Sequence, residues 1–469
     1  MGITLPHIVG AVLTLAVFII IGVFSGKWIK GSADFSGGGK KAGAMLVVGT
    51  ITGTLVGGSS TVGTAQLAFN FGLSAWWFTL GGGIACLVLG LLFVKPFRAS
   101  GCDTIQQIIS KEYGVTAGVI TAVSGTLGML LNIISQLLSF NALVLSSAPV
   151  SPMISAFIGI GLMVCYVAFG GILGTGILGI VKLALLYFTA ILGGFLALNL
   201  SGGFGALYSA LPGDIFFNLF ARGVGVDIGA GFSLILGVLS TQTYMQAVLA
   251  TKTDKSAVKG ALFSAVLIPP IGAGGILIGQ YMRLAHPYLN PALAFPVFII
   301  DNFHPLLAGV ALATLLIAVV GTGAGLSLGI ASILTNNIYL KFINKTPSDK
   351  QKLVVMRLLL LLPLTIALII TVANLDSIIL AWGFMSMALR GAVLFIPMCA
   401  ALTLKKRVSP DYIIASSIIG LAAMTVGHLT NISAALDPLF LGVGASALAV
   451  AAGVFMKFIN DKKEREYNA

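Results

Sequence analysis

Charge is the first thing this sequence lacks. Only 9% of its 469 residues are Asp, Glu, Lys or Arg, against roughly 25% in a soluble globular domain. A soluble core is excluded as the explanation of that composition. Cysteine is scarce as well: Cys86, Cys102, Cys165 and Cys399 are scattered, three of them in apolar runs. They form no metal spacing, so free buried thiols are expected. The four histidines, His7, His286, His304 and His428, sit at helix ends or in loops and share no metal spacing. There is no nucleophile–base constellation and no Walker-type loop before a lysine. Enzymatic chemistry, ATP-driven pumping and a resident cofactor are therefore not expected. Carboxylates are missing from membrane depth: each of the 14 Asp and Glu falls in a loop, a tail or a helix end.

What the chain has in excess is apolar length and glycine. Hydrophobic residues make up 58% of it and 59 residues are glycine, with a mean hydropathy of +1.06. Small residues let helices approach closely in lipid. Apolar runs of about 20 residues mark membrane spans. They fall near 7–29, 42–70, 73–94, 115–147, 151–170, 173–200, 228–250, 259–282, 306–335, 354–374, 376–404, 412–430 and 438–458. This predicts an all-α integral membrane protein of about thirteen helices. The run 7–29 is too long for a signal-peptide core and has no basic stretch before it, so it is read as a retained helix.

An odd number of spans puts the termini on opposite sides. With the N-terminus outside, 22 of the 26 Lys and Arg fall in cytoplasmic loops or the C-terminal tail. Only Arg222 and Arg283 fall outside, and Lys182 and Arg390 fall within spans. That asymmetry is what the positive-inside rule requires. It accounts for the net charge of +12 without a nucleic-acid partner. The expected setting is the cell (inner) membrane, with the C-terminus cytoplasmic and the protein acting as a monomer in the lipid bilayer. Residues 201–226 and 284–304 carry Pro, Gly and aromatics and are expected to form short helices over the outer mouth. Trp28, Trp76 and Trp77 lie near helix ends, as an aromatic belt does.

One stretch contradicts a plain span. Gly49 to Gly63, GTITGTLVGGSSTVG, is dense in glycine and hydroxyls. Such backbone is tolerated at membrane depth only where it faces protein or a polar cavity. Broken helices of this kind build the substrate and ion sites of many secondary transporters.

Several motifs resemble the sodium/solute symporter family, which includes bacterial proline and galactose symporters. Asp34-Phe35-Ser36-Gly37-Gly38-Gly39-Lys40 is similar to the family's D-[YF]-x-x-G-G-[RK]. Tyr166-Val167-Ala168-Phe169-Gly170-Gly171 resembles its Y-x-x-x-G-G. A segment containing Gln242 precedes Ala250-Thr251-Lys252-Thr253-Asp254, like the family's turn after its sixth core helix. Ala318-Val319-Val320-Gly321-Thr322, followed by Ser332 to Tyr339, is similar to A-x-M-S-[ST] and S-x-x-x-x-[DE]-[DI]-Y. The resemblance covers nearly the whole chain, and the order and spacing of the motifs make it specific.

That resemblance implies a LeuT-like core of two inverted five-helix repeats, at 42–200 and 228–404. Residues 1–41 would form a peripheral helix and loop, 201–227 an extracellular connection, and 405–469 two peripheral helices and a tail. The first helix of each repeat is broken in the family, the second break falling near Ser240-Thr241-Gln242. It also implies alternating-access import of a small organic solute with a cation. The family's sodium ligands map to Gly53 and Val56 carbonyls, the Ala318 carbonyl, and positions Gly321 and Thr322. Gly321 departs from the pattern, because the family has Ser there and one hydroxyl is lost. Outside the family, Thr322 would read as a helix hydroxyl bonded to its own turn.

A second departure concerns the fifth core helix. The family's T-D-x-x-Q becomes Leu178-Gly179-Ile180-Val181-Lys182. A lysine at a span centre costs about 3 kcal/mol or more. Placed near a sodium-like site, Lys182 would supply the positive charge itself and carry a proton through each cycle. The competing reading is a lysine that snorkels to the interface. Arg390 lies on a helix that borders the solute cavity in the family. A guanidinium suits bidentate capture of a carboxylate, which points to an anionic or zwitterionic solute. The competing reading has it bonding loose carbonyls. Thr54, Ser59, Ser60, Asn132, Gln136, Gln242 and Tyr244 complete the expected cavity. Asn132 stands where the proline symporter has a Tyr, and each of these residues alone reads equally as interhelical glue. A channel would repeat its pore segments. A sensor would carry a further domain, against which the short stretch after Lys457 argues.

Overall fold

The computed structural model describes residues 3–26, 42–430 and 435–467, excluding the side chains of 22, 23, 25, 26, 167–175, 464, 465 and 467. The Asp34–Lys40 motif and Trp28 lie outside the described residues, as do the side chains of Val167 to Gly171. The described residues form helices and no strand.

Helix α1 is Leu5–Gly26. Helices α2 (Ala44–Leu55) and α3 (Thr64–Phe71) are the halves of the first broken span. Then come α4 (Trp77–Val88), α5 (Val94–Ser100), α6 (Ile105–Tyr113), α7 (Val115–Leu145) and α8 (Pro152–Leu200). The short helices α9 (Phe204–Ala210) and α10 (Gly213–Phe216) lead to α11 (Val224–Leu239) and α12 (Gln242–Leu249), the second broken span. After these follow α13 (Asp254–Leu267), α14 (Pro269–Ala285), α15 (Ala294–Asn302), α16 (Pro305–Leu334), α17 (Asp349–Leu359) and α18 (Leu361–Val372). The chain ends with α19 (Ile379–Arg390), α20 (Ile396–Thr403), α21 (Pro410–Leu429) and α22 (Pro438–Tyr467). The short helices expected over 201–226 and 284–304 are thus α9, α10 and α15.

By length and hydropathy, nine helices among the described residues can cross a membrane, and a tenth if α11 and α12 count as one span bent by 48°. The exact count of thirteen is not confirmed by these described residues. Breaking a span halves it, which is why Ala44–Leu55 counts only as a shorter apolar helix. The expected gap between 170 and 173 is bridged by helix: α8 runs for 49 residues, about 74 Å at 1.5 Å per residue.

Helix α16 is the most enclosed, with 78% of its most apolar window buried, whereas the windows of the α17–α18 span and of α22 are only 28% buried. Around α16 pack α1, α7, α8 and α2. Basic loops meet at one end of the bundle. The Arg98 guanidinium contacts the Asp254 carboxylate at 2.5 Å, Lys341 donates to the Ser110 hydroxyl at 2.6 Å, and Lys457 donates to the Lys406 carbonyl. The cysteines are free, but only Cys86 is buried and Cys165 is exposed. Trp76 and Trp77 donate from their indoles to the carbonyls of Pro269 and Leu219, at 3.0 and 2.7 Å. Those bonds tie the entry of α4 to the start of α14 and to the loop before α11.

Candidate cation and solute site

The first break is built from the residues that the sequence marks. Helix α2 stops where Val56 turns extended, at φ −90° and ψ 95°. The freed amides need partners. Gly57 N–H donates to the Ser60 hydroxyl at 2.8 Å, and Gly58 N–H to Gln136 Oε1 at 2.7 Å. Gln136 Nε2 also donates to Ser59 Oγ and Asn132 Oδ1, at 3.0 and 2.8 Å. A side chain at Gly57 would overlap the Thr322 hydroxyl, so the break and α16 touch only because glycine stands there. After the break, residues 59–63 form a π turn, a feature frequent at functional sites.

Four of the five expected cation-site residues converge here. Thr322 Oγ1 lies 3.3 Å from the Gly53 carbonyl oxygen and 3.4 Å from that of Val56. Between them sits the Lys182 ammonium. Lys182 Nζ donates to Gly53 O at 2.6 Å, Ala318 O at 3.0 Å and Thr322 Oγ1 at 3.2 Å. Lys182 is buried and does not snorkel. The fifth residue, Gly321, offers no oxygen from a side chain; a methyl group there would stand 3.0 Å from the Tyr166 hydroxyl. Of the helices packed on α8, α2, α7, α16 and α18 carry no titratable side chain. Helix α1 has only His7, and α14 has Tyr281 and Arg283.

The expected solute residues divide. Ser60 is spent on the break, since its hydroxyl also donates to Gly57 O at 3.0 Å. Ser59 bonds the Ser135 hydroxyl at 2.7 Å, and Gln136 is saturated by the break. Gln242 faces another way: its Oε1 accepts from Ile105 N–H at 3.2 Å and its Nε2 donates to Asp103 O at 2.8 Å. Gln242 therefore latches the entry of α6 rather than a cavity. Both of its polar atoms are occupied because the loop before α6, legible only as a basic connection, folds back against the break. Thr54, Asn132 and Tyr244 keep polar atoms uncommitted: the Thr54 hydroxyl, the Asn132 amide nitrogen and the Tyr244 hydroxyl make no hydrogen bond to described residues.

Arg390 is fully buried. It donates to Ser386 O at 3.0 Å, Ser386 Oγ at 2.8 Å, Met387 Sδ at 3.0 Å and the Thr241 hydroxyl. No carboxylate is among these partners. Three residues here were not picked from sequence: Thr241, Ser386 and Gln106. Ser386 carried a signal by standing one turn from Arg390, and Thr241 by lying in the expected second break; Gln106 carried none.

Comparisons with known proteins bear on the family and the fold. Residues 35–420 match the Sodium:solute symporter family. The osmoregulated proline transporter of Bacillus subtilis (strain 168) is 22% identical over 464 residues, covering 95% of this chain and 93% of its own length. The sodium/proline symporter of Escherichia coli (strain K12) is 23% identical, with 86% and 85% covered. Among solved structures, a Na+-coupled sialic acid symporter in its substrate-bound outward-open state superposes with a TM-score of 0.82 at 18% identity, covering 97% of this chain and 98% of the other. A nucleobase-cation-symport-1 family transporter superposes with a TM-score of 0.62 at 12% identity, with 91% and 95% covered. Apolar spans that are broken, oxygens gathered at the first break and a family match over most of the length point one way. This chain belongs to the sodium:solute symporter family, a multi-pass membrane transporter of LeuT-like fold and not an enzyme.

Proposed function

We propose that this protein imports a small organic solute, anionic or zwitterionic, by alternating access, and that a proton on Lys182 is the coupling cation. Supporting this reading is one observation: the Lys182 ammonium lies within hydrogen-bond reach of the oxygens to which the family's sodium ligands map. A sodium ion there would face a like charge about 3 Å away, a repulsion of about 5 kcal/mol at an effective dielectric of 20. Sodium and a charged Lys182 exclude one another at that spot.

The coupling works through packing. Charged, Lys182 ties α8 to α2 and α16 through charge-assisted bonds. Neutral, it holds them less strongly, so protonation biases one conformation over another. Solute binding that favours the tied form loads proton and solute together. In this reading the basic end of the bundle faces the cytoplasm, the N-terminus lies outside, and the protein works as a monomer. The repeat boundaries follow the breaks, 42–200 and 228–404.

Sodium coupling is the second reading, favoured by the family's own description and by the Na+-coupled neighbour. Uptake into proteoliposomes separates the two. The expected result is uptake driven by an inward proton gradient, unchanged when N-methylglucamine replaces sodium, and lost in Lys182→Gln. Strict sodium dependence of the unaltered protein overturns proton coupling.

A further inference from the structure

The second break carries an arrangement that the cation site does not use. The Arg390 guanidinium is buried among neutral partners, and a buried charge without a counter-charge costs several kcal/mol. The chain nevertheless makes room for it, since a methyl group at Gly128 would overlap its stem. The groups it bonds accept from it, and none of them carries a negative charge. Ser240, beside the Thr241 that binds Arg390, has a buried hydroxyl with no partner. So does the buried Gln106 amide, at both its nitrogen and its oxygen. Gln106 Nε2 would stand 3.2 Å from a methyl group at Gly125, one turn from Gly128 on the same face of α7. Helix α12 starts there without a side-chain cap, and its N-terminus carries partial positive charge. A buried cation without a counter-charge, with unpartnered polar side chains on adjoining elements, fits an anion.

The first break offers little to a solute's ammonium group. Several of its carbonyls are already taken. Gly53 O accepts from Lys182, and Gly57 O from the Ser60 and Thr61 hydroxyls. Gly58 O accepts from Gly63 N–H, and Ser59 O from the Thr64 hydroxyl. Helices α2, α7, α12, α16 and α19 contain no Asp or Glu. Between the two breaks, Asn132 presents its free amide nitrogen, a further donor.

We propose that the transported solute is a small monocarboxylate without an ammonium group, its carboxylate held at the second break by Arg390, Gln106 and Ser240, and that it crosses with the proton on Lys182 as a net neutral pair. The charge balance rests on the Lys182 reading; the ligand class does not. One negative charge enters on the solute and one proton on Lys182, and both leave on the far side, so no net charge moves.

The test has two parts. In the first, binding to the purified full-length protein is measured without any gradient, using acetate, propionate, butyrate, lactate and pyruvate against L-proline, L-alanine and choline, with chloride as the anion control. At least one acid is expected to bind while the zwitterions, choline and chloride do not. Arg390→Lys and Gln106→Leu should each weaken that acid about tenfold or more, as loss of a bond to a charged group does. Binding of zwitterions but of none of the acids overturns the ligand class and leaves the Lys182 reading standing. A chloride effect equal to that of the acids overturns it too. In the second part, uptake of the bound acid into proteoliposomes is followed under a potassium diffusion potential set with valinomycin. Uptake indifferent to the potential and accelerated by external acid is expected. Uptake of the acid that follows the potential and requires sodium overturns the neutral pairing, and with it the proton reading, while the ligand class survives.

Discussion

Gly179 and Gly49 meet backbone to backbone. A methyl group on Gly179 would overlap the Gly49 carbonyl oxygen, and one on Gly49 would overlap the carbonyl of Gly176. That contact lets α8 lie against α2. One turn along each helix stand Lys182 and Gly53, joined at 2.6 Å. The two departures in this helix, glycine for the family's Asp and lysine for its Gln, therefore act together: the glycine brings the helices close enough for the lysine to reach the site.

Replacing Gly179 by Ala tests that coupling. Alanine is favoured over glycine in a helix by about 1 kcal/mol, but overpacking against backbone costs about 1–3 kcal/mol. The overlap should win. Gly179→Ala is expected to lower the melting temperature and abolish uptake. Gly161→Ala, in the same helix with open space around it, should leave both unchanged or raise stability slightly. Equal behaviour of the two variants would refute the close-approach argument.

Removing the lysine should expose a latent ion site. Lys182→Gln leaves the Gly53, Val56 and Ala318 carbonyls and the Thr322 hydroxyl without their cation. Sodium is expected to raise the melting temperature of this variant, by about 2.7 kcal/mol of stabilisation at a hundredfold excess over Kd. It should leave the unaltered protein unmoved. Adding Gly321→Ser restores the family's hydroxyl, with Tyr166 shifting by a few tenths of an ångström to admit it. The double variant should bind sodium more tightly than the single one. Calorimetric titration in sodium against potassium reads the difference.

Much of this was legible in the sequence because the rules that make it legible are strong. Apolar length marks spans, since lipid offers no water to the backbone; glycine and hydroxyl density marked the first break. The motif register brought Gly53, Val56, Ala318, Thr322 and Lys182 to one point. The register did not reveal that Ser60 and Gln136 serve the break itself. Nor did it show that Gln242 turns toward α6. Hydrogen-bond direction depends on which backbone groups a break leaves open, and spacing does not encode that. Gln106 was hidden for the same reason, because it lies in a short amphipathic helix that reads as a loop between spans.

Gln136 should be worth more to stability than Ser60. Gln136→Leu leaves Gly58 N–H, a buried donor, with no partner, at a cost of about 1–3 kcal/mol. It also frees Ser59 and Asn132. Ser60→Ala also orphans a buried donor, Gly57 N–H, at a similar cost, but it leaves the Ser59 and Asn132 bonds to Gln136 in place. Melting temperatures of the two variants should fall in that order. The reverse order would mean that the break is held by its own turn rather than by α7.

The Gln242 latch can be read through a native cysteine. Cys102 precedes Asp103, whose carbonyl accepts from Gln242 at 2.8 Å. Burial pushes the Cys102 thiol above its ordinary range, while nearby Lys111 opposes the shift. Thiolate is the reactive form, so maleimide labelling should be slow at neutral pH and rise as pH rises. In Gln242→Ala the entry to α6 loses both bonds to α12. Exposure of Cys102 then relieves the desolvation, and labelling at neutral pH is expected to accelerate several-fold in a Cys165→Ser, Cys399→Ser background. Solute bound at the second break should slow it again if α6 closes that side of the site. An unchanged rate in Gln242→Ala would show that Asn337, which donates to the Thr104 hydroxyl at 3.2 Å, holds α6 without help.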